Sequence, residues 1–81
     1  MITGTLGAQL NPEAVPPDPV VQMLNGIVEL VHGERPATAA QRARIFSARE
    51  RVYNNIKARD AAGTHPLFTQ ADFNLLYHAS L

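Results

Sequence analysis

The chain has no cysteine and no tryptophan among its 81 residues, and its formal net charge is zero. Without cysteine, disulfides are excluded as a source of stability, and the composition suits a reducing compartment. Seven basic residues balance seven acidic ones, so no overall field draws the chain to nucleic acid or to a membrane surface. No stretch approaches the roughly 20 apolar residues that cross a bilayer. The opening Met1-Ile2-Thr3-Gly4-Thr5 lacks the cationic start and apolar run of a signal peptide, so a cytoplasmic protein is expected.

The chemistry-bearing patterns are equally sparse. There is no cysteine nucleophile, no G-x-S-x-G elbow, no phosphate-binding glycine loop and no H-E-x-x-H pair. Ser47 and Ser80 have no acid–base arrangement beside them in the sequence. The histidines, His32, His65 and His78, are far apart, whereas metal ligands come at close spacing or with companion cysteines. No catalysis, cofactor or metal is expected. His32 near a helix C-terminus suits the helix dipole, and His65 precedes Pro66 in a loop, so structural roles suffice for both.

What the chain does contain is helix punctuation. Residues 1–17 carry Gly4, Gly7, Pro12, Pro16 and Pro17, which break regular structure and favour an extended arm. Ile2, Leu6, Leu10 and Val15 make that arm more apolar than an ordinary disordered tail and suit docking on a surface. Asp18-Pro19 reads as an N-cap followed by proline at the first helical position, and Gly33 as the terminator, giving a helix over about 19–32. Thr38-Ala39-Ala40-Gln41 is a capping box opening a helix over about 39–62, which Gly63 ends and Pro66 seals. Thr69-Gln70-Ala71-Asp72 is a weaker box, with Phe68 and Phe73 at the staple positions, opening a third helix over about 70–80.

The expected fold is therefore all-α: a small three-helix domain after an extended, proline-containing N-terminal arm. Loops at 33–38 and 63–69 are short enough to make sequential helices antiparallel neighbours. At about 100° per residue, Val20, Val21, Met23, Leu24, Ile27, Val28, Leu30 and Val31 sweep an arc of about 180° on the first helix. That arc is wider than the stripe of a surface helix, so this helix should be the centre of the core or should meet a neighbour as well as its own chain. Ile45, Phe46, Val52, Tyr53 and Ile56 share a face on the second helix, and Phe73, Leu76, Tyr77 and Leu81 on the third.

All the lysine and arginine lies between 35 and 59, where Glu50 is the only acid. Projected on a helix, Arg44 and Arg51 fall close together, but Lys57 lies on the opposite flank and Arg42 and Arg49 enter the apolar arc. A nucleic-acid-binding helix gathers its cations on one face, and this one scatters them. Arg49 projects between Ile45, Val52 and Ile56, so its head must snorkel out of the core or find a carboxylate. Pointed at a partner, Arg42 and Arg49 become interface anchors.

Thr69 to Leu76 is similar to the first half of a helix-turn-helix, but the match covers about a tenth of the chain, no second helix follows it, and it names no family. Two functional readings follow. The first is a non-catalytic interaction or assembly subunit: a homo-oligomer, a stabilising component of a larger complex such as a virion, or an inhibitor of a partner protein. Its contact residues would be Val21, Val28, Leu30, Arg42, Arg44, Arg49 and Arg51. The second is nucleic-acid binding through the basic segment 35–59.

Overall fold

The computed structural model describes residues 17–81. The expected arm, apart from Pro17, lies outside the described residues. Within them the chain is all-α, with helices α1 (Pro19–His32), α2 (Ala39–Ala62) and α3 (Gln70–Ser80).

Each helix begins at the cap its sequence supplies. Asp18 Oδ1 accepts from the Val20 amide at 2.9 Å, with Pro19 at the first position. Thr38 and Gln41 close a full capping box: the Gln41 amide donates to Thr38 Oγ1 at 3.0 Å and the Thr38 amide donates to Gln41 Oε1 at 2.8 Å. Thr69 and Asp72 repeat the device at the start of α3. Gly63 ends α2 with φ 70° and ψ 24°, the left-handed conformation that an L-residue enters only with strain.

The core lies where the three helices meet. Leu24 of α1, Val52 and Ile56 of α2 and Leu76 of α3 form its centre. Val20, Ile27, Val28, Ala48, Tyr53, Leu67, Phe68 and Leu75 pack around them half-buried. Helix α1 is not the centre: Leu24 and His32 are its only fully buried residues, while Val52 and Leu76 are inaccessible. The reason is reach. At about 1.5 Å per residue, α1 is roughly 21 Å long and α2 roughly 36 Å, so α1 shields only part of the α2 surface.

Two expected faces are correspondingly narrower than the sequence pattern suggests. Phe46 was placed with Ile45 on a buried face, but it stands 60% exposed. It follows Ile45 directly and so points about 100° away from it. Tyr77 and Leu81, expected to be buried with Leu76, are also exposed. Ala79 and Ser80 take their place inside.

Polar side chains fix how the helices meet. Asp72 is buried, and its two oxygens accept from Arg59, Asn55 and both the amide and hydroxyl of Thr69. Arg59 also donates to the Leu67 carbonyl at 2.6 Å, so one guanidinium ties the end of α2 to the α2–α3 loop and to α3. At the other end of the molecule, buried His32 places Nδ1 3.1 Å from the Ser80 carbonyl and Nε2 3.0 Å from the Arg35 carbonyl. Arg35 donates to the carbonyls of His32 (2.8 Å) and Ser80 (3.2 Å), and Gln41 donates to the Leu81 carbonyl at 3.1 Å. The last turn of α3 is thereby held by side chains from the α1–α2 junction.

Candidate interaction groove

An open groove of about 320 Å³ runs alongside the contact between α1 and α2, lined by Val21, Leu24, Asn25, Phe46, Arg49, Glu50 and Tyr53. Its floor is apolar: Leu24 is the core residue beneath it, while Val21 (42% exposed) and Phe46 (60%) form its walls. Arg49 and Glu50 place one charge of each sign on the rim.

The polar groups here hold the groove's shape. Tyr53 donates its hydroxyl to Asp18 Oδ2 at 2.8 Å, which joins the start of α1 to the middle of α2. Lys57 Nζ lies 3.6 Å from the same carboxylate oxygen and 5.3 Å from the Tyr53 ring centroid. The Tyr53 hydroxyl, then the Val20 amide, and then the Lys57 charge hold the Asp18 carboxyl below its ordinary range. The same hydrogen bond to Asp18 raises the Tyr53 hydroxyl. Arg49 Nη1 donates to Asn25 Oδ1 at 2.6 Å. Of the two expected outcomes, snorkelling or a carboxylate partner, the head takes the first: it leaves the apolar arc and binds an exposed amide oxygen, and its half-buried stem bridges α1 and α2.

The seven expected contact residues do not converge. Val21 and Arg49 line the groove. Val28 packs half-buried against the core. Leu30, 83% exposed, lies on the opposite side of α1 from Val21, beside Gly26, Glu29 and Glu34. Arg42 donates to the Ala37 carbonyl at 2.7 Å, which braces the entry to α2. Arg44 and Arg51 are exposed on a separate face of α2 and make no ion pair among the described residues. The remaining basic residues are engaged within the chain: Arg35 by carbonyls, Lys57 by Asp18 and Arg59 by Asp72.

Phe46, Glu50, Asn25 and Tyr53 were not expected at the site. Phe46 carried a signal, since an aromatic next to a core residue on a helix cannot share its direction. Asn25 carried none, because its role depends on how α1 and α2 cross. Among the described residues, no cluster of His, Asp or Glu is arranged to hold a metal ion, and no helix is long and apolar enough to cross a membrane. Comparison with protein-family models, with curated proteins and with solved structures returned no match.

Proposed function

We propose that this chain is a non-catalytic interaction subunit that joins a larger assembly through the α1–α2 groove. The supporting observation is Phe46: a large aromatic, 60% exposed, standing beside a concave apolar floor rather than isolated on the surface. Aromatics flanked by arginine are the usual energetic centres of protein interfaces. Val21 adds exposed apolar area beside the groove, and Met23 and Leu30 expose more on the other side of α1, in keeping with an apolar arc too wide for its own chain to cover.

The test is Phe46→Ala. Its side chain contributes little to the core, so the expected change in folding stability is about 0.5 kcal/mol or less by thermal denaturation. Association measured by sedimentation, or by recovery of a stoichiometric partner from the native source, should weaken tenfold or more. A wild-type chain that is monomeric at every concentration and recovers no partner would overturn this reading.

A second reading rests on a different face. Arg44 and Arg51 lie two turns apart on α2, with Ala40, Ser47, Asn54 and Ala58 exposed around them, while the intervening Glu50 projects about 100° away from that line. Such a stripe suits phosphates. Two contacts predict weak binding to DNA or RNA with a log–log salt slope of roughly −2, abolished in the Arg44→Gln/Arg51→Gln double variant. Absence of binding to an oligonucleotide at low salt would exclude it.

A further inference from the structure

We infer that the α1–α2 groove is filled, in the free chain, by the chain's own N-terminal segment 11–15, folded back from Pro16 and Pro17. The inference rests on the groove being a binding surface, and it names the resident occupant that any partner there must displace.

The segment is tethered at the mouth of the groove. Asp18, just after it in the chain, accepts at 2.8 Å from the hydroxyl of Tyr53, itself a groove residue. Helices α1 and α2 run antiparallel beside the groove, since Asp18 meets Tyr53 and Asn25 meets Arg49. The groove therefore leads from the tether, past Arg49, to Phe46. A segment joined to Asp18 lies along it after one reversal at 16–18, where two prolines and an aspartate suit a turn. So short a tether holds the segment at an effective concentration on the order of millimolar, an advantage no free ligand has.

The segment also matches the groove in spacing and charge. Pro12, Pro16 and Pro17 fall close together, and proline-rich chains favour polyproline II, which docks in aromatic-lined grooves. That helix has about three residues per turn and rises about 3.1 Å per residue, so Pro12 and Val15 share a side roughly 9 Å apart. Phe46 and Tyr53 share a side of α2 roughly 10 Å apart. Seating Val15 at Tyr53 thus brings Pro12 to Phe46. Glu13 then stands about 6 Å from Val15, level with Arg49, which is about 6 Å along α2 from Tyr53. Glu13 is the only charged side chain in 1–16, and Arg49 is in no ion pair among the described residues. Glu50, the anion on the rim, projects on the other flank of the Phe46–Tyr53 line from Arg49. One register therefore satisfies both apolar contacts and the opposite charges.

The experiment is paramagnetic broadening of backbone amides in the full chain. With no native cysteine, Ala8→Cys carries a single nitroxide. The amides of Asn25 and Phe46, at the end of the groove away from the tether, should lose most of their intensity, and more than those of Lys57 and Asp60 near the tether. Val15→Ser and Glu13→Arg, both outside the three helices, should each relieve that broadening. Adding Arg49→Glu to Glu13→Arg should bring it back, with circular dichroism confirming helicity. Broadening confined to the tether end overturns the inference, as does broadening that Val15→Ser leaves unchanged or a charge-exchanged variant no better than Glu13→Arg. Broadening of an isotope-labelled chain by the nitroxide on a different molecule also overturns it, because the segment would then come from a second copy. Partner capture separates this inference from the groove's role in assembly. If the segment docks but neither the wild type nor Val15→Ser recovers a Phe46-dependent partner, the assembly reading falls and the segment stays; if such a partner is recovered while broadening stays at the tether, the reverse holds.

Discussion

Asp72 shows how much one side chain can connect. Read from sequence, it is the third residue of an imperfect capping box, an aspartate where glutamate or glutamine is usual. In the structure the shorter side chain is buried and receives Arg59 and Asn55 as well as Thr69. The pairing with Arg59 was not legible, because it spans a loop whose path no local pattern fixes. Burial pushes the Asp72 carboxyl up, but the donors from Arg59, Thr69 and Asn55 together outweigh it and hold the group below the ordinary carboxylate range. The linkage follows in sign. With the folded-state value depressed, the stabilisation is complete above the unfolded value and lost as pH falls through the folded one. The urea midpoint should therefore drop below about pH 4, with Asp18 contributing in the same direction. Asp72→Asn should flatten that acid limb while lowering the midpoint at neutral pH. Asp72→Ala, which strands Arg59 and uncaps α3, should cost about 2–4 kcal/mol in chemical denaturation.

At the scale of the element, the sequence was most informative. Caps and terminators are local chemistry, so Asp18, Thr38, Thr69, Gly33 and Gly63 mark the helix boundaries without reference to the rest of the fold. Thr38→Ala should lower stability by about 1 kcal/mol by removing an acceptor from the Gln41 amide. Gly63→Ala should cost about 1–2 kcal/mol, because its φ of 70° strains any L-residue. Gly26 offers the opposite case: it lies inside α1, and an added Cβ would meet nothing within 4 Å. Gly26→Ala should raise stability by about 0.5–1 kcal/mol, and a higher melting temperature with unchanged helix boundaries would check it. Faces were read less well than ends. Periodicity identified Ile45, Val52, Ile56 and Leu76 as inward, but it also drew in Phe46, Tyr77 and Leu81, because it ranks directions without knowing how far each neighbouring helix extends.

At the scale of the whole molecule, the surplus of apolar surface on α1 was legible and the site was not. A groove is the space left beside the line where two helices pack, and that packing is a property of no single segment. Val21 and Arg49 were expected at a contact surface and meet there, whereas Val28, Leu30 and Arg42 point elsewhere for reasons set by tertiary packing. The grip that His32, Arg35 and Gln41 exert on the carbonyls of Ser80 and Leu81 has a kinetic corollary. A six-residue connector between helices would ordinarily open on its own, many times faster than the protein unfolds. Here it is latched to the far end of the chain, so backbone amides at 33–38 that are protected from deuterium and those in the closing turn of α3 should become labelled at a common rate, as one unit, and Arg35→Ala should uncouple them.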